Sequence, residues 1–124
     1  MEKSAAADAV VTPSAQDDSF ADFILDQLRD LPDLECRAMF GGHGLYQDEI
    51  FFGIIAKGRL YFKTDEKSSA LYRRRGMKAF RPNAKQTLKN YYEVPGEVLE
   101  DGGEIAAWAR AAIAVARERS HRRR

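Results

Sequence analysis

Three glycines crowd one of the chain's two histidines in Gly41-Gly42-His43-Gly44, the stretch whose residue types could most readily hold a phosphate, a metal or a catalytic base. A phosphate loop needs glycines that run from a strand into a helix N-terminus, with Lys and Ser/Thr placed after them. Here they run into Leu45-Tyr46-Gln47-Asp48-Glu49 and then another strand-like segment, so the context excludes a phosphate cradle. A metal would need further ligands, yet the other histidine is His121 near the C-terminus and Cys36 lies seven residues before His43. Glycines within a strand mark a bulge, a bend or the close approach of another backbone, and that reading fits better. His43 is then expected on the strand surface or at the sheet rim.

Nucleophilic chemistry has as little behind it. There is no Gly-x-Ser-x-Gly elbow. Cys36 stands beside Arg37, which could lower a thiol pKa, but a cysteine at an apolar strand start reads as a buried inert thiol. The acidic pairs Asp17/Asp18, Asp48/Glu49 and Glu100/Asp101 fall at helix starts and a turn, where capping and solvation account for them. No catalytic residue, cofactor or metal ligand is assigned, and an enzyme is not expected.

The basic residues form a broader pattern. The segment from Met1 to Ala56 holds three Lys/Arg against eleven Asp/Glu, and the segment from Lys57 to Arg124 holds seventeen against eight. Between Lys57 and Lys89 only Asp65 and Glu66 oppose eleven bases. Such asymmetry suits an acidic partner such as DNA or RNA, or the association of opposite faces of two copies. Candidate nucleic-acid contacts are Arg73, Arg74, Arg75, Lys78, Arg81, Lys85 and Lys89, interleaved with Tyr72, Phe80, Tyr91 and Tyr92. Bases and aromatics together hold single strands by backbone charge and stacking. The competing reading places the aromatics in the core and the bases on a solvated rim.

Elements must position these groups. Residues 1–16 read as a disordered lead-in, Ala/Ser-rich without period. From Asp17 a helix is expected, capped by Ser19, with Phe20, Phe23, Ile24, Leu28 and Leu31 at helical spacing and Pro32 as its stop. Arg37–Tyr46 reads as one strand, turned at Gln47-Asp48-Glu49 into Ile50–Ala56. The two-residue turn Lys57-Gly58 joins this to Arg59–Thr64, which sets Ala56 opposite Arg59, Ile55 opposite Leu60 and Gly53 opposite Phe62. Alternation then puts Phe51, Gly53, Ile55, Leu60 and Phe62 on a core face, with Phe62 over the bare Gly53 backbone. Ile50, Phe52, Ile54 and Tyr61 fall on a second face, apolar enough in patches to suggest a partner.

Asp65 suits the N-cap of a helix to about Arg75, ended by Gly76. Lys78–Arg81 and Thr87–Val94 read as two further strands, and a last helix starts near Asp101 with Ile105, Trp108, Ala109, Ala112, Val115 and Ala116 inward. Residues 119–124 read as a basic tail. The order α-βββ-α-ββ-α predicts an α+β domain over residues 17–118, with helices on a mostly antiparallel five-stranded sheet. One domain is what 124 residues allow. With one cysteine, no secretory signal and no apolar run that could span a bilayer, a cytoplasmic setting away from membranes is the expectation.

The motifs Arg37-Ala38-Met39-Phe40-Gly41-Gly42-His43-Gly44-Leu45-Tyr46, Phe51 to Glu66, Tyr91-Tyr92-Glu93-Val94-Pro95 and Trp108-Ala109-Arg110-Ala111-Ala112 resemble the N-terminal domain of the TfoX/Sxy competence regulators. The likeness runs from about Phe20 to Ala116. Its structural signature here would be Arg37, Met39, Phe40, Gly41, Gly42, Gly44, Tyr46, Gly53 and Gly58. Two departures are the Asp48-Glu49 turn, where Asp-Gly is expected, and His43, where an aromatic is more usual. The resemblance implies a secretion-chaperone-like α+β fold. In full-length regulators this domain precedes a helical one and the protein promotes transcription of competence genes; this chain resembles a stand-alone version. The expected function is a non-enzymatic regulatory or protein-interaction module that self-associates, as a homodimer, through a sheet face or edge. The alternative is a nucleic-acid-associated factor using the basic surface around residues 57–89.

Overall fold

A computed structural model describes residues 13–39 and 41–122; residues 1–12, Phe40, Arg123 and Arg124 lie outside the described residues. Helix α1 (Pro13–Gln27) leads into strands β1 (Leu34–Met39), β2 (Gly42–Gln47), β3 (Ile50–Ala56) and β4 (Arg59–Lys63). Helix α2 (Glu66–Arg74), strands β5 (Ala79–Asn83) and β6 (Gln86–Glu93), a short helix α3 (Gly96–Leu99) and helix α4 (Gly102–Arg122) complete it. The fold is α+β with an antiparallel sheet, as expected, but the sheet has six strands in the order β1-β2-β3-β4-β6-β5.

The extra strand comes from the glycine-rich stretch. Arg37–Tyr46 is not one strand: β1 ends at Met39, Gly41 adopts φ +77°, and β2 returns antiparallel from Gly42 with Met39 opposite it. Gly41 supplies the left-handed conformation of a tight hairpin, which a side chain resists. The helix boundary also moves. The sequence pattern extends the lead-in to residue 16, but α1 begins at Pro13, a residue whose fixed φ suits a first helical turn. Apolar period reports burial rather than backbone, so its absence there does not exclude helix. At the other end α4 continues through Arg122, taking in residues 119–122 of the expected tail. The segment after Pro95 adds α3, too short to show a period.

The β3–β4 register is as expected, with Gly53 opposite Phe62, Ile55 opposite Leu60 and Ala56 opposite Arg59. The faces of the lower half of β3 are exchanged. Leu45 pairs with Gly53 and Tyr46 with Phe51, so Phe52 is an extra residue in β3. A bulge of one residue shifts the two-residue alternation by one step. Phe52 therefore joins the helix-covered core with no exposure, Ile50 packs beside it, and Phe51 turns to the opposite face.

The helix-side core gathers Ile24 from α1 and Leu28 just after it, Leu45, Phe52, Ile55, Leu60 and Phe62 from the sheet, Tyr72 from α2, Val98 from α3, and Ile105, Ala109, Ala112 and Ala116 from α4. Alanines at four-residue or three-residue spacing let α4 lie close on β3 and β4. Helix α2 is fixed by a capping box: the Asp65 carboxylate accepts from the Ser68 amide at 2.8 Å, and the Asp65 amide donates to Ser68 Oγ at 3.0 Å. Gly76, at φ +78°, ends it as expected.

Candidate interaction surface

The second face of the sheet carries its own apolar cluster, built without any helical residue. Ile54, Tyr61, Phe80 and Tyr91 are buried there, with Phe51, Ala56 and Leu88 packed against them. Aromatic contacts run across the strands. Tyr46 and Phe51 lie 5.1 Å apart between ring centres, Phe51 and Tyr91 5.6 Å, and Tyr61 and Phe80 4.6 Å. These are tilted arrangements of the kind ring quadrupoles favour.

Cations close both ends of the Tyr46–Phe51–Tyr91 row. The Arg37 guanidinium sits 4.2 Å from the Tyr46 ring centre, and Lys63 Nζ 4.8 Å from that of Tyr91. Their stems and the neighbouring rings shield a cluster to which, among the described residues, no helix contributes. Arg37 is further held by Glu35 at 2.6 Å and Glu49 at 3.1 Å, both exposed carboxylates, which push its guanidinium pKa up. Arg59 pairs with Glu93 at 2.8 Å beside Tyr61, whose hydroxyl pKa is raised first by burial and then by Glu93. The C-terminal turn of α4 borders this face across a cavity of about 250 Å³ lined by Phe51, Lys63, Tyr91, Ala116 and Arg119.

The glycine stretch serves this surface as scaffold. A Cβ at Gly42 would collide with the Ile55 carbonyl oxygen, so β2 and β3 approach there as only glycine allows. One at Gly44 would stand 2.5 Å from Met39 Sδ and 3.0 Å from Phe51 Cε1, so this glycine lets Met39 and two aromatic rings close over it. Gly53 sits under Phe62 and Leu45, as the expected register requires. His43 is half-buried opposite Ala38 and Ile55, further inward than the strand surface or rim expected for it. Among the described residues no group of three His, Cys, Asp or Glu could hold a metal ion. Phe40 lies outside the described residues.

The seven basic candidates are divided among four places, with Lys78 in the short link between α2 and β5, where its carbonyl accepts from the Glu93 amide. Arg73, Arg74 and Arg75 occupy the end of α2. Arg73 donates to Ser69 Oγ and to the Tyr92 hydroxyl, while Arg75 pairs with Glu97 at 2.7 Å and lies over Trp108. Tyr72 is in the helix-side core, where burial drives its hydroxyl pKa far up. Arg81 and Lys85 belong to the β5–β6 hairpin, with Arg81 donating to the Ala84 carbonyl at 2.7 Å. Lys89 borders a cavity with Thr64, Asp65, Glu66 and Arg119. Of the interleaved aromatics, Phe80 and Tyr91 are on the helix-free face, whereas Tyr72 and Tyr92 pack on the helix side. The aromatic row itself is hidden from sequence reasoning, because the bulge that brings Phe51 to it reverses the expected alternation.

The sequence profile of the TfoX N-terminal domain matches residues 26–116, and the chain belongs to that family. The DNA transformation protein TfoX1 of Aliivibrio fischeri (strain ATCC 700601 / ES114) is 33% identical over 60 residues. That alignment takes in 47% of this chain and 29% of the relative, so the chain spans well under half of the protein it matches.

Proposed function

With membership of the TfoX N-terminal domain family as the premise, we propose that this chain is a non-enzymatic regulatory module of DNA transformation that acts through protein contact, self-association included. The family match over residues 26–116 carries the reading. The name of the Aliivibrio relative, a DNA transformation protein, supports the process, and the aromatic and basic face opposite the helices supports the mode of action. What a partner can reach on that face is its half-buried margin, Tyr46, Phe51 and Leu88, edged by Arg37, Arg59 and Lys63, a mix of aromatic and Arg residues of the kind found among interface anchors. A cytoplasmic location belongs to the same proposal. Among the described residues no helix is long and apolar enough to cross a membrane.

The test is transformation frequency and competence transcript level in host cells lacking the gene, complemented by wild type or by Tyr46→Ala. We expect both to fall without the gene and to be restored by wild type alone. Unchanged values in the deletion strain would remove the proposed process.

A second reading, association with DNA or RNA, is favoured by one observation: among the described residues Arg74, Lys78, Lys85 and Lys89 are exposed and enter no ion pair. Binding through them would weaken steeply with salt. Undetectable affinity for DNA and RNA at ~50 mM salt would dispose of it.

A further inference from the structure

The two edges of the sheet are unlike. Strand β5 carries Pro82, which has no amide to offer a further strand. Strand β1, six residues of Leu34-Glu35-Cys36-Arg37-Ala38-Met39, contains no proline and forms the other edge. Its hydrogen-bonding phase is fixed by the Asp48 amide, which donates to the Asp33 carbonyl at 3.2 Å, just beyond the Leu34–Gln47 pair. In an antiparallel ladder the direction of the backbone groups alternates. Asp33, Glu35, Arg37 and Met39 therefore address β2, and Leu34, Cys36 and Ala38 turn their N–H and C=O groups away from it.

We propose that β1 pairs antiparallel with β1 of a second copy about a two-fold axis at Cys36, joining two six-stranded sheets into one. This rests on the proposed function and deepens it by naming the partner and the edge. The phase admits only registers in which outward residues meet outward residues, and charge selects among them. Centring on position 35 would set Glu35 against its own copy; centring on position 37 would do the same for Arg37. Centring on Cys36 sets Glu35 opposite Arg37 of the second copy, twice by symmetry, and Leu34 opposite Ala38. Glu35 and Arg37 then form the closer, non-hydrogen-bonded pairs, where opposite charges interact best.

Each protomer can make the exchange. Arg37 already lies between Glu35 and Glu49, so it retains Glu49 while reaching the second Glu35. On the helix side, Leu34 and Cys36 pack at the margin of the core and Ala38 is exposed, so the pairing buries apolar surface there as well. Because side chains keep their face across an antiparallel pair, all helices of the dimer lie on one side. The two aromatic rows lie on the other.

Analytical ultracentrifugation of the full chain at high micromolar concentration should give a dimer. Glu35→Arg alone and Arg37→Glu alone should each weaken it by about tenfold or more, since each replaces both attractive cross-strand pairs by like charges. An equimolar mixture of the two variants should restore a heterodimer. In that mixed pair positions 35 and 37 of one chain are both basic, those of the other are both acidic, and each basic position faces an acidic one across the axis. A short bis-maleimide crosslinker should link wild-type protomers through Cys36, the chain's one cysteine, whose Cα atoms would stand about 5.5 Å apart in the hydrogen-bonded pair. Circular dichroism of the variants checks that they fold. A dimer unaffected by either swap and without the Cys36 link would overturn this edge and leave self-association standing. A monomer at that concentration would overturn both, without touching transformation frequency in cells.

Discussion

The two faces of the sheet do different work with similar residues. On the helix side Leu45, Phe52, Ile55, Leu60 and Phe62 have no exposure and are locked under α1 and α4. On the other side the buried rings are held by one another and by Arg37 and Lys63, with no helical residue in the cluster. Stability therefore concentrates on the first face, where truncation leaves a void between rigid layers. The second can yield side chains to a partner with less loss, because its neighbours are rings and flexible stems at a surface.

The sharpest test of that contrast is a pair of truncations. Phe62→Ala should cost about 3–5 kcal/mol in denaturant unfolding, as large core deletions do. Tyr46→Ala, half-buried under Arg37, should cost under about 1 kcal/mol, the scale of a ring pair and a cation contact at a surface. Comparable losses would break the comparison.

Glycines give a second, smaller measure of the same rigidity. Gly42→Ala drives a methyl into the Ile55 carbonyl and should cost about 1–3 kcal/mol. Gly44→Ala meets chiefly the flexible end of Met39 and the edges of two rings, and should cost less. Thermal melts of the two variants decide it; equal costs would mean the helix-free cluster is packed as rigidly as the backbone ladder.

Capping should show the next effect in size. Asp65→Ala should destabilise by about 1 kcal/mol through loss of the α2 cap. The Ser68 amide holds the Asp65 carboxyl below the usual carboxylate range, so this contribution is present above that range and is lost as pH falls through the folded-state value. Urea midpoints of wild type and Asp65→Ala should therefore converge in acid.

The smallest effect belongs to the β2–β3 turn. Asp48 and Glu49 both adopt positive φ, at 51° and 71°, in a turn where the family resemblance suggests Asp-Gly. Glu49→Gly should stabilise by about 0.5–1 kcal/mol, relieving left-handed strain at the loss of one exposed ion pair. A melt unchanged or lowered would place more weight on the Arg37–Glu49 pair than its exposure suggests.

Much of the fold is legible in the order of residues. The β3–β4 register, the Asp65 cap, the Gly76 stop and the inward stripe of α4 follow from two-residue turns, capping chemistry and helical spacing, all local rules. The split of Arg37–Tyr46 is not legible, because a glycine pair reads equally as a bend within one strand or as a turn between two. Phe51 and Phe52 read to the wrong faces because a bulge leaves no mark in the apolar pattern. Nor does the basic segment reveal its division, since neighbouring positions in sequence separate onto α2, a hairpin tip and the α4 cavity.

The sequence by itself determined the α+β class, the family signature around Gly41–Tyr46 and the absence of a phosphate-loop context, because composition, spacing and turn chemistry act within a few residues. Only the tertiary structure decided which ring faces which side and which backbone groups look outward from β1. Those depend on a one-residue bulge and on strand pairing across the sheet, where a single step of register reverses every side chain.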